Sequence, residues 1–205
     1  MMTLGVSTSQ SVEVALHGDC LKATASTDVQ ALDGLLICIK RVLRESGCTR
    51  SDIGLLAVCK GPGSFTGLRI GVAFAKAFAQ ARDLPVIGVS AYDIVDAAGE
   101  KTYPRIAVVR ASRSGYYLRV QGASGDCPKF FHGAEPVCEA AARDAGCDAP
   151  LATYIKAFAS GERAESVARL GGELFSDGAE SDWRRLDIDY GQRPNSVVNW
   201  ENRRG

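Results

Sequence analysis

The chain has 205 residues, enough for one domain or two small ones, and 46% of them are hydrophobic and 23% charged, as in an ordinary globular protein. Lysine and arginine together number 24, and so do aspartate and glutamate, so the formal net charge is zero. This balance excludes the broad basic surface of an autonomous nucleic-acid-binding protein, and any role on RNA is expected to need a partner.

The sequence also argues against membrane, secreted and metal-binding classes. No apolar run approaches the roughly 20 residues needed to cross a bilayer, and the first four residues lead into a strand rather than a signal peptide. The seven cysteines are odd in number and no two stand at CxxC spacing, which favours buried reduced thiols over disulfides or zinc. We therefore expect a cytoplasmic protein without a metal site.

The first half of the chain predicts a three-stranded meander followed by alternating helices and strands. This first unit is assigned to residues 1–99. Its predicted strands are 4–9, 12–16, 21–25, 55–59 and 86–89, and its predicted helices are 29–45, a helix after the glycine-rich turn that ends near residue 82, and 91–98. Gly47 supplies the left-handed residue that commonly ends a helix such as the first of these.

A glycine-rich segment, GPGSFTGLRIG at residues 61–71, joins the fourth strand to the second helix. Ser64 or Thr66 can cap that helix, and unpaired amides at a helix start favour anions. The residues of this possible anion or nucleotide loop are Gly61, Gly63, Ser64, Thr66 and Arg69. The segment matches neither a Walker loop nor a dinucleotide fingerprint. A tight turn whose small residues merely permit close packing remains an equal alternative.

Two helices of the first unit carry more apolar residues than one sheet can cover. In the second helix, small residues recur every four positions and would let another backbone approach closely. We therefore expect a partner chain to bury this surface, unless the second unit or the tail covers it. The expected contact residues are Leu32, Leu35, Leu36, Ile39, Gly67, Leu68, Gly71, Val72, Ala75 and Ala79. A bulky residue at Gly71 or Ala75 is expected to weaken association and leave the protomer folded.

The second unit, residues 100–205, is predicted to be smaller. Its predicted strands are 106–109, 116–121 and 129–131, and its predicted helices are 135–145 and 162–175. From residue 176 the chain is polar, and we expect an irregular tail that is anchored by Trp183, Tyr190 and Trp200.

Two segments carry a resemblance to a known family. LGVSTS at residues 4–9 and GPGSFTGLRIG at 61–71 resemble the bacterial TsaB (YeaZ) family, with weaker similarity at 84–90, 111–117 and 190–200. The resemblance implies an α/β protein with an actin-like ATPase (ribonuclease H-like) fold, made of two similar units with the second reduced.

The resemblance also implies a function. It suggests a non-catalytic subunit in the synthesis of threonylcarbamoyladenosine on tRNA, paired with the catalytic subunit TsaD and with the ATPase TsaE as third member. TsaB-like chains pair with TsaD through the two helices of the first unit, and alone they self-pair through the same surface as a dimer. We expect tRNA to be reached only through the complex, no cofactor on this chain alone, and ATP only in the assembled complex.

Residues needed for catalysis on this fold are missing from the sequence. Magnesium requires oxygen ligands, yet Ser7 stands where the family has aspartate, and Arg110 stands where aspartate is expected in the second unit. His17 and His132 are far apart in sequence, so no paired metal-binding histidines are expected. The alternative function is a small-molecule kinase or phosphatase that uses the glycine-rich loop. A peptidase is a more distant possibility, because Ser64 and Ser90 lack an identifiable base.

Overall fold

The structure, a computed structural model, describes residues 1–28, 32–99, 103–111, 115–122, 126–147 and 149–191. Its strands are β1 (Met2–Ser7), β2 (Val12–His17), β3 (Leu21–Thr27), β4 (Ile53–Gly61), β5 (Val86–Ser90), β6 (Arg105–Arg110), β7 (Gly115–Gln121) and β8 (Lys129–Ala134). Its helices are α1 (Leu32–Ser46), α2 (Phe65–Arg82), α3 (Ala91–Ala97), α4 (Glu135–Asp144), α5 (Leu151–Tyr154) and α6 (Glu162–Ser176).

The first sheet has the strand order β3-β2-β1-β4-β5. Its meander strands β1, β2 and β3 pair antiparallel, whereas β1, β4 and β5 run parallel. The strands β1 and β4 are buried along nearly their whole length, as expected for strands that are covered on both faces. This sheet therefore carries helices on both sides.

Alternate residues of β1 and β4 point to different helices. Leu4, Val6, Leu56 and Val58 share one core cluster with the inner residues of α1 and α2. On the opposite face, a Cβ at Gly5 would lie 2.4 Å from the carbonyl oxygen of Ala164 in α6. Because strand side chains alternate with period two, α1 and α2 cover one face of the sheet and α6 covers the other.

The second sheet has the antiparallel order β6-β7-β8 and packs with α4 and α5 around its own cluster of buried residues. Its strands β6 and β7 also contribute Ala107, Val109 and Tyr117 to a core shared with α3 and with β4 and β5 of the first sheet. The helix α6 belongs to the second half of the chain but packs on the first sheet. The predicted boundary at residue 99 therefore separates the two sheets but not the helices that cover them.

The predicted helices and strands all overlap observed elements. Gly47 has a φ of +68°, in the left-handed region that was expected to end α1. The four-residue helix α5 was not predicted, because one helical turn is too short to show a hydrophobic period. Trp200 lies outside the described residues.

The segment after α6 is irregular, as predicted, but it is held to the first sheet. Its backbone donates hydrogen bonds from Asp189 to the Lys60 carbonyl oxygen (2.8 Å) and accepts one at Ser181 from Val86 (3.0 Å). Leu186 is buried, and Trp183 packs partly buried against the same core. Leu186 was missed as an anchor because it and Ile188 are too few to show a helix or strand period in a polar stretch.

In the ranges that the structure describes, no helix is long and apolar enough to cross a membrane. All seven cysteines fall within these ranges, none of them forms a disulfide bond, and four of them are buried.

Candidate functional site

The glycine-rich segment is packed tightly by the chain itself. A Cβ at Gly67 would lie 1.9 Å from the carbonyl oxygen of Thr8, and one at Gly63 would lie 2.8 Å from the Cβ of Ser9. Gly61, with a φ of +114°, has the carbonyl oxygen of Asp189 2.0 Å from where its Cβ would be. Such distances are far below van der Waals contact, so the glycines are needed for close approach of the β1–β2 turn and the tail.

Several amides of the segment are used internally. Ser64 donates its backbone N–H to the Ser9 carbonyl oxygen (2.8 Å), and its hydroxyl accepts from the Gly67 amide (3.3 Å) as the cap of α2. The Leu68 amide donates to the Ser64 carbonyl oxygen (2.8 Å). These contacts support the tight-turn alternative over an anion loop, because donors already bonded to the chain are not available to a phosphate.

The other two residues of the possible loop, Thr66 and Arg69, are exposed. The Arg69 guanidinium lies 4.1 Å from the centre of the Phe65 ring, and its Nε donates to the Tyr190 hydroxyl (3.4 Å). The Phe65 and Tyr190 rings are 5.0 Å apart. Arg69 is thus held in an aromatic cluster on the outer side of α2.

Most of the expected partner contacts are buried within the protomer, so the prediction that they lie on its surface is wrong for them. Only Leu32 and Leu36 of the ten are exposed. The eight buried ones are Leu35, Ile39, Gly67, Leu68, Gly71, Val72, Ala75 and Ala79. The small-residue ridge of α2 admits the β1–β2 turn and the chain's own sheet, not a foreign helix.

This burial also changes the expected effect of bulky residues on the ridge. A Cβ at Gly71 would lie 2.3 Å from the Thr8 hydroxyl oxygen, and Ala75 has no exposed surface. A larger side chain at either position would therefore disturb the protomer itself, so these substitutions cannot separate association from folding.

A different set of apolar residues remains exposed on the same two helices. Leu32 is 50% exposed, Leu36 40%, Ile37 61% and Phe65 51%. Three exposed alanines follow Phe65 along α2. We call the set Leu32, Leu36, Ile37, Phe65, Ala73, Ala77 and Ala81 the helix patch. Because α1 and α2 cover the same face of the sheet, their outer sides face the same direction.

Sequence reasoning identified the helices of this surface but only two residues of the patch, Leu32 and Leu36. The missed signal is the spacing of Ala73, Ala77 and Ala81, which repeats every four residues two positions out of step with the Gly67–Ala79 ridge. Sequence alone shows that both rows exist but not which row faces the sheet.

A small cleft separates the β1–β2 turn from the second sheet. Its cavity has a volume of about 70 Å³ and is lined in part by Ser9, Arg110 and Phe158. The Gln10 side chain crosses from the turn and donates its Nε2 to the Arg110 carbonyl oxygen at 2.8 Å. Ligand pockets usually measure about 300–1,000 Å³, so this space is too small for a nucleotide.

The residues around the cleft do not fit a magnesium–nucleotide complex. Ser7, at the expected acidic position, is fully buried and its hydroxyl lies 3.4 Å from that of Ser9. The nearby carboxylate of Glu13 accepts hydrogen bonds from Arg163 Nη1 (2.7 Å) and the Ser11 hydroxyl (2.8 Å). In the part of the chain that the structure describes, no three His, Cys, Asp or Glu side chains are grouped as metal ligands would be.

The thiol nearest in sequence to the glycine-rich segment is not activated as a nucleophile. Cys59 is fully buried near the end of β4, and burial raises the pKa of its thiol, which disfavours the reactive thiolate. His132 stacks on Tyr117 with ring centres 4.7 Å apart in the second sheet, whereas His17 ends β2 in the first sheet. The two histidines are therefore not brought together.

Comparison with known proteins finds relatives of two kinds, named TsaD and TsaB. The family model described as TsaD, tRNA N6-adenosine threonylcarbamoyltransferase, matches residues 30–124. The tRNA threonylcarbamoyladenosine biosynthesis protein TsaB of Escherichia coli K12 is 46% identical over 56 residues, covering 27% of this chain and 24% of that protein. TsaB of Buchnera aphidicola subsp. Schizaphis graminum is 30% identical over 92 residues, covering 42% of this chain and 44% of that protein.

The matched segments thus span less than half the length of these two relatives. The structural similarity covers nearly the whole chain, unlike the sequence matches. A crystal structure described as an uncharacterized protein with similarity to peptidase YEAZ from Pseudomonas aeruginosa superposes with a TM-score of 0.72 at 19% identity, covering 93% of this chain and 99% of that one. The resemblance to the TsaB (YeaZ) family that the sequence predicts is therefore confirmed, together with the actin-like (ribonuclease H-like) α/β fold.

Proposed function

We propose that the chain is a non-catalytic scaffold subunit of the bacterial complex that adds a threonylcarbamoyl group to the adenosine next to the anticodon of tRNA. The names of the TsaB relatives support a role in tRNA threonylcarbamoyladenosine biosynthesis. In this proposal the chain pairs with a TsaD-like catalytic subunit, and a TsaE-like ATPase joins the pair. It meets tRNA and ATP only in the assembled complex, and it binds no cofactor alone.

The helix patch is the observation that carries the proposal. Exposed apolar residues that lie together commonly mark protein–protein interfaces. The members of the helix patch share the outer sides of two helices that cover the same face of the sheet. Full burial of a large apolar side chain contributes roughly 1.5–3 kcal/mol, and the four large members of the patch are already about half buried. Covering them would contribute about half of that each, which offsets part of the cost of association. The aromatic ring of Phe65, backed by Arg69 and Tyr190, is the type of rigid anchor that dominates interface energies.

The cleft supports the non-catalytic part of the proposal. Within the cleft, Gln10 Nε2 donates to the Arg110 carbonyl oxygen, and the Glu13 carboxylate is paired with Arg163. These groups would have to move before a phosphate or a magnesium ion could approach. The chain is therefore better suited to hold a partner than to turn over a nucleotide.

Replacement of Leu36 by aspartate tests the role of the helix patch. The variant Leu36→Asp would place a carboxylate in the apolar centre of the complex, where burial of an unpaired charge is strongly unfavourable. We expect its affinity for the TsaD-like subunit of the same bacterium to fall at least about tenfold, measured by calorimetry, with an unchanged melting temperature because the side chain is exposed in the protomer.

The matched control is Val137→Asp. Val137 is 56% exposed on α4, away from the helix patch, and its replacement should leave the affinity unchanged. Equal losses in both variants, or no loss in either, would contradict the proposal. Turnover of ATP by the isolated chain with magnesium would instead favour a small-molecule kinase or phosphatase.

A further inference from the structure

A pocket of about 480 Å³ lies between the second sheet and the helices α3 and α6. Its lining includes Asp96 from α3, Leu170 from α6, Arg105 from β6 and Gln121 from β7. Ligand pockets usually measure about 300–1,000 Å³, so this one is large enough for a small organic molecule. None of the described residues that line it belongs to α1 or α2, so the pocket is distinct from the helix patch.

Strand pairing places two hydrogen-bond donors side by side in this pocket. Arg105 and Gln121 are direct partners across the β6–β7 ladder. The side chains of direct antiparallel partners lie on the same face of a sheet, with their Cβ atoms about 4.5–5.5 Å apart. Ala107 and Arg119 form the next pair on this face, and Ala107 is buried in the core shared with α3. The guanidinium of Arg105 and the amide of Gln121 therefore lie on the same side of the pocket.

Arg105 is a cation without a counter-charge. Its side chain lines the pocket, but its Nε is buried and has no hydrogen-bond acceptor. Among the residues that the structure describes, no carboxylate lies within 4.0 Å of its guanidinium. The Tyr103 ring, with its centre 5.8 Å from the guanidinium carbon, is a weak substitute for an anion. Buried donors in folded proteins are nearly always bonded, so this one points to an acceptor that comes from solution.

The other charges of the pocket indicate which acceptor fits. Arg119 donates Nη1 to Asp93 Oδ1 at 2.6 Å and Nη2 to Asp96, so one cation serves two carboxylates. Arg169 and Glu173 pair with each other at 2.7 Å. The described side chains around the unpaired guanidinium thus carry one negative charge in excess. Repulsion from this charge disfavours a dianion such as phosphate more than an anion of single charge.

We propose that this pocket, called here the Arg105 pocket, binds a small organic carboxylate. The guanidinium presents N–H donors in a planar fork that matches the two oxygens of a carboxylate. Gln121 supplies a further donor beside it, and Ala97 and Leu170 offer apolar surface to the rest of the molecule. The inference does not depend on the proposed function, because the pocket and the helix patch share no residue.

Titration of the full chain with benzoate tests the inference, and benzamide is the matched control ligand because it has the same shape without the charge. Nuclear magnetic resonance should show saturable shifts of amides in 105–107 and 119–121, with a benzoate dissociation constant of about 10 mM or tighter. Benzamide should bind at least about fivefold more weakly, and inorganic phosphate should also bind more weakly than benzoate. Tighter binding of phosphate, equal binding of benzamide, or no binding of benzoate would overturn the inference.

Replacement of the guanidinium provides the first variant. Arg105→Gln should bind benzoate at least about fivefold more weakly, because it removes the charged fork. Its melting temperature without ligand should be unchanged or higher, since the lost cation has no partner among the described residues. The control Arg143→Gln makes the same change in charge at an exposed position on α4 and should bind benzoate as the wild type does. Equal benzoate affinity of the two variants would contradict the assignment of Arg105.

A second variant fills the pocket and leaves every charge in place. Ala97 is exposed at the end of α3 and lines the pocket, so the ring of Ala97→Phe should occupy this space without disturbing the core. Its benzoate affinity should fall at least about fivefold, because the ring and the ligand compete for the same volume. The control Ala140→Phe adds the same ring at an exposed position on α4 and should have no effect on affinity. Undiminished affinity in Ala97→Phe would place the ligand outside the pocket and overturn the inference.

Discussion

The variant Gly67→Ala is expected to lose about 3 kcal/mol or more of unfolding free energy, or to fail to fold. Its new Cβ would lie 1.9 Å from the Thr8 carbonyl oxygen, and the obstacle is backbone rather than a movable side chain. Relief requires α2 to move away from the β1–β2 turn, and overpacking of this kind costs typically 1–3 kcal/mol or more. Urea denaturation followed by circular dichroism measures the loss.

Gly172→Ala is the control for this prediction. Gly172 also lies inside a helix, α6, but the nearest atom to its added Cβ is the Thr3 hydroxyl oxygen at 3.7 Å, an ordinary contact. Alanine should be neutral there or should stabilise by up to roughly 1 kcal/mol, because glycine is a poor helix former. A Gly67→Ala variant as stable as the wild type would show that the turn and α2 are not packed as described.

Removal of the Arg163 side chain is expected to destabilise the protein by about 3–5 kcal/mol, because it breaks a buried ion pair. The Glu13 side chain is only 2% exposed and its carboxylate accepts from Arg163 Nη1 at 2.7 Å. In Arg163→Ala the carboxylate would keep the Ser11 hydroxyl and the residue-163 amide as donors but would lose its only described charged partner. Thermal and urea denaturation measure the change.

The same helix contains a matched exposed pair. Arg169 and Glu173 are joined by the same atoms at the same 2.7 Å, but their side chains are 41% and 55% exposed. Surface pairs of this kind contribute about 0.3–0.5 kcal/mol, so Arg169→Ala should change stability by no more than that. Similar losses in both variants would mean that burial does not control the strength of the Glu13–Arg163 pair.

Local sequence signals predicted the elements of this fold well. Apolar periodicity located the strands and the long helices, Gly47 marked the end of α1, and Ser64 was one of two caps proposed for α2. Each of these depends on residues within a few positions of one another. Short-range physics is therefore sufficient to place elements along the chain.

Which side of a helix faces the core depends instead on distant residues, and there the sequence was insufficient. The Gly67–Ala79 ridge and the Ala73–Ala81 row have similar composition, and only contact with Thr8 and the sheet distinguishes them. Likewise, the return of α6 to the first sheet is fixed by Gly5 and by Ala57, whose Cβ lies 2.4 Å from an added Cβ at Gly171. Such close approaches between remote segments leave no periodic pattern in either segment.

Hydrogen–deuterium exchange with and without the TsaD-like subunit tests the central claim most directly. If the helix patch is the partner surface, amides in 32–46 and 65–82 should exchange more slowly in the complex, while those of β6, β7 and β8 remain unchanged. Protection confined to the second sheet, with α1 and α2 unaffected, would contradict the account.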